Sequence, residues 1–173
     1  MEETDLKTRK QTINFGIFAG VVSVVFGLML FFQELHYERS FGIQAVQFGI
    51  VALFVVLGVI QYKKSNGGYI TIMQALKIGA GVGALSAVIG IIYYLFMSNV
   101  LDPNFLDNSI DLAKEQAFTQ NPSMTEEQWQ QGVEMQKKFM PIFLGIGVLL
   151  STIFGLVVGL ITGAIVQNKR AQY

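Results

Sequence analysis

Four long stretches of the chain carry no charged side chain and consist mostly of apolar residues. No Asp, Glu, Lys, Arg or His occurs in residues 11–33, 40–62, 78–101 or 139–168. A helix needs about 20 residues to cross the hydrocarbon core of a bilayer, and each stretch is long enough. A helix on the surface of a soluble domain would also present a charged face, which none of these does.

The pattern therefore predicts an all-α fold, a four-helix transmembrane bundle that forms a single membrane domain over residues 1–173. The predicted helices cover residues of about 11–33, 41–62, 72–101 and 139–167. The first apolar run, Phe15 to Phe32, exceeds the length of a usual signal-peptide core and is followed by no small-residue cleavage site. We therefore interpret it as a retained helix, and the lipid bilayer is the first expected partner.

The remaining segment, residues 102–138, is polar and predicts an extramembrane helical loop. Asp102-Pro103-Asn104 is a turn signal that ends the third helix. Apolar residues at helical spacing then predict a short amphipathic helix from about Asp107 to Thr119. Ser123 to Glu126 has the S-x-x-E form of a capping box and predicts a further helix that continues into the fourth span, with a kink near Pro141. This acidic loop is either a cap that binds a molecule outside the membrane or a solvated connector.

Small residues recur at intervals of three or four along three of the predicted helices. In lipid, hydrophobicity does not draw helices together, and small residues allow the close backbone approach that packing requires. We therefore predict helix-packing roles for Gly16, Gly20, Ser23, Gly27, Gly79, Gly83, Ser86, Gly90, Gly147, Ser151, Gly155, Gly159 and Gly163. The contacts could lie within one bundle or between subunits, and three similar helices favour packing within one bundle.

The first and third helices share their spacing of small residues. Gly16, Gly20, Ser23 and Gly27 superpose on Gly79, Gly83, Ser86 and Gly90 with a constant offset of 63 residues. This offset favours a tandem repeat of two helical hairpins, which would have the same orientation and a symmetry axis along the membrane normal.

Basic residues near the helix ends predict the orientation. Lys and Arg favour the cytoplasmic side. Placing both termini and the connection 63–77 in the cytoplasm puts eight basic residues inside and four outside. The sequence therefore predicts a multi-pass protein of the cytoplasmic membrane with both termini cytoplasmic and residues 102–138 outside.

Candidate chemistry is sparse. The net charge is zero, which gives no electrostatic case for nucleic acid, and the absence of cysteine excludes disulfides and thiolate chemistry. The single histidine, His36, lies between Glu34 and Glu38 in a short loop, and one short loop seldom closes a metal site. No nucleophile, base and acid can be assembled around an exposed histidine without a serine or cysteine partner. The sequence thus predicts no catalytic, cofactor-binding or metal-binding residues, no cofactor and no enzyme.

Three amides near the predicted outer surface offer one more polar feature. Gln44 and Gln47 share a face of the second helix, and Asn99 lies at the outer end of the third. They either line a small vestibule or form hydrogen bonds between helices near the interface.

The connection between the second and third helices resembles a known family. Residues Ile60 to Lys64, Asn66 to Thr71 and Gln74 to Gly79, followed by Tyr93-Tyr94 and Asp102 to Phe105, are similar to the bacterial membrane proteins catalogued as domain of unknown function 4199. The resemblance spans nearly the whole chain. It implies a small four-helix membrane protein without an assigned activity, and it supplies no catalytic residues.

Two functions are compatible with these features. The first is a non-enzymatic integral membrane protein that acts as a packing or assembly partner, for another protein or for a second copy in a homo-oligomer. The second is a small transporter or channel subunit. A dry, tightly packed interior would favour the first function, whereas a polar path through the bundle would favour the second.

Overall fold

A computed structural model describes residues 2–38 and 40–168 of the protein. These residues form five helices. They are α1 (Glu2–Phe32), α2 (Phe41–Ser65), α3 (Ile72–Phe96), α4 (Phe105–Gln120) and α5 (Glu126–Val166), and a π-helical segment, Met97–Leu101, continues α3. Within the described residues, four helices are long and apolar enough to cross a membrane: α1, α2, α3 with its π-helical extension, and α5. The predicted all-α fold with four membrane-spanning helices is confirmed.

One helix extends well beyond its predicted bounds. Helix α1 begins at Glu2, nine residues before the predicted start at 11. Helix α5 is a single helix of 41 residues, which confirms the prediction that the second helix of the polar loop continues into the fourth span. Its length is about 62 Å, roughly twice the hydrocarbon thickness. Pro141 lies inside it.

The start of α5 differs in detail from the prediction. The cap is formed by Thr125 and Gln128, not by Ser123 and Glu126: the Thr125 hydroxyl accepts a bond from the Gln128 N–H, and the Gln128 side chain accepts one from the Thr125 N–H. Ser123 instead donates to Asn121 Oδ1 at 2.7 Å. T-x-x-Q satisfies the same pattern as S-x-x-E, and here the motif two residues later forms the cap.

Helix α3 begins with the same device. Thr71 and Gln74 form a capping box at its start. Immediately before it, Ile70 pairs with Asn168 through two backbone hydrogen bonds of 3.1 Å. This bridge holds the residues after α5 against the connection between α2 and α3.

Helix α4 lies against α5 through one face. The amphipathic helix predicted at about 107–119 is present as Phe105–Gln120. Lys137 and Asp107 approach to 3.1 Å, Lys114 and Glu126 to 2.9 Å, and the rings of Phe118 and Trp129 lie 6.4 Å apart. Both ion pairs are largely exposed, so each adds little stability.

The core lies in one half of the bundle. We call this half, which contains the start of α1, the connection 66–71 and the end of α5, the terminal half, and the other the α4 half. The largest fully buried side chains are Tyr62, Ile70, Ile78, Val55, Val59 and Val82, all in the terminal half. Toward the α4 half the packing is looser, as the exposure of most of residues 41–49 and 139–150 shows.

The tandem repeat stays a prediction. The glycine face of α1 packs against side chains of α3, whereas the glycine face of α3 packs against the backbone of α5. The two sets of related glycines therefore have different partners, and their shared spacing does not require a shared contact geometry.

The observed cap gives a matched pair of substitutions. We expect Thr125→Ala to speed amide hydrogen exchange in residues 126–130 and to cost about 1 kcal/mol of local stability, the usual cost of losing an N-cap side chain. Ser123→Ala removes the residue that the sequence pattern favoured and should leave this exchange unchanged. Equal acceleration by both substitutions would contradict the assignment.

Candidate functional site

The small residues of α3 and α5 form a backbone-to-backbone seam. A Cβ built on Gly79 would collide with the carbonyl oxygen of Gly155, and one built on Gly83 with that of Ser151. A Cβ on Gly159 would lie 2.6 Å from the Ala75 carbonyl oxygen, and one on Gly163 would lie 2.6 Å from the Ala75 Cβ. Backbone atoms cannot move aside as flexible side chains can, so these positions accept only glycine at the observed separation.

Serines supplement the seam with hydrogen bonds. The Ser151 hydroxyl donates to the Gly83 carbonyl oxygen at 2.9 Å, which links α5 to α3. The buried Ser86 hydroxyl donates to the same oxygen at 3.0 Å. Such bonds in a membrane contribute a modest stabilisation, on average about 0.6 kcal/mol.

The small residues of α1 meet a different surface. Built Cβ atoms on Gly16, Gly20 and Gly27 would meet the side chains of Leu85, Ile89 and Tyr93 on α3, respectively. Ser23, on the same stripe, is buried. The large residues of α3 therefore fill the groove that the glycines leave open on α1.

Four glycines differ from the predicted pattern of helix contacts. The structure does not place Gly90 or Gly147 in a contact, since a Cβ on either would meet nothing within 4 Å. Gly58 and Gly81, which stand outside the predicted stripes, do lie in contacts: a Cβ on Gly58 would lie 3.2 Å from Ile78, and one on Gly81 would collide with Thr12. The sequence spacing identifies the faces well but does not show where along each face the helices touch.

A polar cluster at the α4 end is the second candidate site, and the end of α1 positions its first half. The Glu34 N–H donates to the Phe31 carbonyl and the Leu35 N–H to the Leu30 carbonyl, at 3.0 and 2.9 Å. These two bonds form a Schellman motif. Glu34 takes its left-handed position at φ 59°, and it is the one non-glycine residue with positive φ among the described residues. The chain then turns back and presents His36 and Tyr37.

The end of α3 positions the other half of the cluster. In the π-helical segment the Asp102 N–H donates to the Met97 carbonyl at 2.8 Å. The wider turn changes the face on which the next residue emerges. Asp102 Oδ1 then accepts the Asn104 N–H at 3.2 Å, which fixes the carboxylate in an Asx turn.

The cluster is centred on the Asp102 carboxylate. The Tyr37 hydroxyl donates to Asp102 Oδ2, and His36 Nε2 lies 3.4 Å from the same oxygen. The Asn108 amide donates to the Tyr37 hydroxyl at 2.9 Å, which ties α4 to the loop between α1 and α2. The Phe105 ring stacks on Tyr37 and His36 at centroid distances of 5.6 and 6.0 Å.

The two principal partners shift each other's pKa in opposite directions. Donation from Tyr37 lowers the pKa of the Asp102 carboxyl below its ordinary value, although burial acts against this, and the His36 contact adds to the lowering. The bond to Asp102 and then burial raise the pKa of the Tyr37 hydroxyl. Asp102 is thus ionised and Tyr37 protonated over the physiological range.

This cluster corrects the sequence interpretation of His36. The side chain is 10% exposed, not freely exposed, and its partner is Asp102 from a loop 66 residues away, not Glu34 or Glu38. Within the described residues, no group of three His, Cys, Asp or Glu side chains is placed to hold a metal ion. The predicted topology does bring these two residues to the same side of the membrane. When the spans alternate in direction, the ends of α1 and α3 lie at the same end of the bundle, and His36 and Asp102 follow those two ends.

The three amides lie at exposed positions. Asn99 donates to the Leu95 carbonyl of its own helix at 2.7 Å. Gln44 and Gln47 lie in the exposed first turns of α2.

The seam gives the first prediction for this site. We expect Gly79→Ala to lower the free energy of unfolding by about 1–3 kcal/mol, the usual cost of an inserted methyl group that the surroundings cannot accommodate. The measurement is thermal unfolding of the purified chain in detergent. Gly147→Ala adds the same methyl group where the structure has open space, and it should be neutral or slightly stabilising. A similar loss for both would argue against the seam.

The cluster gives the second prediction. Tyr37→Phe removes the donor that lowers the Asp102 pKa, so that pKa should rise toward its ordinary value in an NMR titration. A carboxyl with a lowered folded-state pKa stabilises the fold above its unfolded pKa and loses this contribution as pH falls through the folded value. The stability deficit of Tyr37→Phe should therefore be about 1.5 kcal/mol at pH 7 and should shrink below pH of about 4. Asn108→Ala, which leaves the Tyr37–Asp102 bond in place, should not change this pH dependence.

Comparison with known proteins found a match to one family model. No curated protein and no solved structure is significantly similar to the chain. A family model described as "Protein of unknown function (DUF4199)" matches residues 14–168, which include the last 19 of the 31 residues of α1 and the whole of α2 to α5. The chain, with its four candidate transmembrane helices, belongs to the DUF4199 family.

Proposed function

We propose that the protein is a non-enzymatic assembly partner in the cytoplasmic membrane. The observation that carries this proposal is the apolar, closely packed interior of the terminal half. Its centre consists of Tyr62, Val55, Val59, Ile78 and Val82, each fully buried, and it is closed on one side by the glycine seam. A bundle packed in this way holds a fixed shape and offers its outer surfaces to the surroundings.

The α4 half supplies the surface for association. In α2 a Cβ on Gly49 would meet open space, one on Gly42 would touch only Ser40, and in α5 Gly145 and Gly147 likewise meet nothing. Small residues that the bundle leaves uncovered permit a further helix to approach closely. The helical glycines of the terminal half, in contrast, already lie in internal contacts.

The alternative function, a small transporter or channel subunit, requires a polar path through the bundle. Among the described residues, the fully buried side chains of the terminal half are apolar except for the Tyr62 hydroxyl. The polar cluster around Asp102 lies at one end and does not continue into this core. The packing therefore favours the assembly role.

The orientation is part of the proposal. Eight of the twelve basic residues lie in the segments assigned to the cytoplasm. Lys169 and Arg170, which belong to these eight, and Arg39, which belongs to the four assigned to the other side, lie outside the described residues. The α4 end would then face away from the cytoplasm.

Because the chain has no cysteine, single-cysteine variants give a clean test. We expect Gly49→Cys and Gly147→Cys to form one discrete cross-linked product in native membranes, either a disulfide dimer or an adduct with one other membrane protein. Cross-linking should saturate with reagent and should fall when Gly145 is replaced by Leu. The control is Ile161→Cys, which is 56% exposed on the terminal half and should yield no such product.

Two results would contradict the proposal. Products from Ile161→Cys equal to those from Gly49→Cys would indicate random collision, and ion leakage through vesicles that contain only the purified chain would favour the channel. The orientation is checked with Gln116→Cys and Asn66→Cys: a membrane-impermeant maleimide added to intact cells should label the first and spare the second.

A further inference from the structure

The polar cluster borders an open cavity at the α4 end of the bundle. The cavity has a volume of about 540 Å³ and is lined by Phe31, Phe32, Glu34, His36, Tyr37, Leu101 and Asp102. Its walls thus combine aromatic rings with two carboxylates. Among the described residues no lysine or arginine lines it.

The aromatic walls come from the end of α1 and from the loop that follows. The rings of Phe31 and Phe32 lie 5.7 Å apart, nearly perpendicular, and the Phe31 and His36 rings lie 5.0 Å apart. Phe32 is 79% exposed, so it contributes a ring face without contributing to the core. Aromatic faces attract cations, and this attraction is the usual basis for recognising alkylammonium groups.

The two carboxylates differ in their hydrogen-bond partners. Asp102 is held by Tyr37, Asn104 and His36, so its position is fixed. Glu34 is exposed and makes no side-chain bond that the structure records, although the Schellman position that it occupies is normally taken by glycine. A glutamate at this position costs backbone strain, and in return it places a carboxylate beside the cavity.

His36 forms part of the cavity wall. Its side chain is nine-tenths buried, and Nε2 faces Asp102. Nδ1 is buried away from the cavity, so the imidazole ring shapes the wall and the carboxylates and aromatic rings supply the groups that a ligand would contact.

We propose that this cavity binds an alkylammonium group, between the Glu34 and Asp102 carboxylates and the rings of Phe31, Phe32 and Tyr37. The cavity lies where α1 and the extended α3 leave the apolar spans. The group is therefore borne either by a zwitterionic lipid headgroup at the bilayer surface or by a free amine. This inference goes beyond the assembly role and does not rest on it, because the cavity is built within one copy of the chain.

The test uses the full chain purified in a non-ionic detergent. Native mass spectrometry measures the retention of phosphatidylethanolamine against phosphatidylglycerol, which lacks the ammonium group. Saturation-transfer NMR measures contact with free ethanolamine. We expect about fivefold preference for phosphatidylethanolamine or a saturable ethanolamine signal, a magnitude that matches one exposed ion pair together with one cation–π contact.

Two variants and a matched control separate the site from a general charge effect. Glu34→Gln keeps the shape of the side chain and should remove most of the preference or signal, and Phe32→Leu should reduce it about threefold by removing the ring face. Glu38→Gln makes the same charge change in the same loop, at a residue that does not line the cavity, and should have no effect.

Each outcome decides the proposal. A lipid preference that Glu34→Gln removes identifies a headgroup site, and an ethanolamine signal without lipid preference identifies a free-amine site; both support it. The absence of both, or an equal loss with Glu34→Gln and Glu38→Gln, overturns it. Cross-linking of Gly49→Cys is unaffected by any of these results, so the assembly role stands or falls separately.

Discussion

The close approach of α3 and α5 is the contact on which the rest of the fold depends. Lipid tails are as apolar as leucine, so helices in a bilayer gain no hydrophobic free energy by meeting each other. They must gain dispersion contacts, which fall off steeply with distance. Glycine at 79, 83, 155 and 159 brings the two backbones together at a distance that a single methyl group would prevent. With these two helices fixed, α1 packs against α3 by receiving large side chains in its glycine groove, and α2 packs mainly through side chains.

The tight packing is confined to the terminal half, and the α4 half carries exposed glycines and polar groups instead. There the helices carry exposed glycines, the π-helical segment changes the exit direction of α3, and a loop folds back over the helix end. Polar groups gather at this end because water and lipid headgroups can share the cost of solvating them. The Asp102 carboxylate, with its three partners, is largely buried, and its place at the end of the bundle keeps it close to water and lipid headgroups.

Much of the fold could be predicted from the sequence, because the bilayer simplifies the physical problem. Four uncharged stretches of sufficient length leave helices as the only reasonable spans, and the faces that carry Gly79 and Gly155 follow from spacing alone. The extent of each contact could not be predicted, because spacing does not show where two helices diverge; Gly90 and Gly147 share the stripe but not the seam. The choice of Thr125 over Ser123 as the cap depends on a difference of about one hydrogen bond. The pairing of His36 with Asp102 joins residues 66 positions apart through a side-chain geometry that no local pattern encodes.

The unbroken length of α5 has a mechanical consequence. From Gly155 in the seam to Glu126 at its first turn the helix runs about 44 Å at 1.5 Å per residue, and ion pairs at Glu126 and at Lys137 link it to α4. On the same geometry, a tilt of about 5° at the seam would displace the first turn by about 4 Å. The length of the helix would thus magnify, above the membrane surface, any change in packing at the glycines.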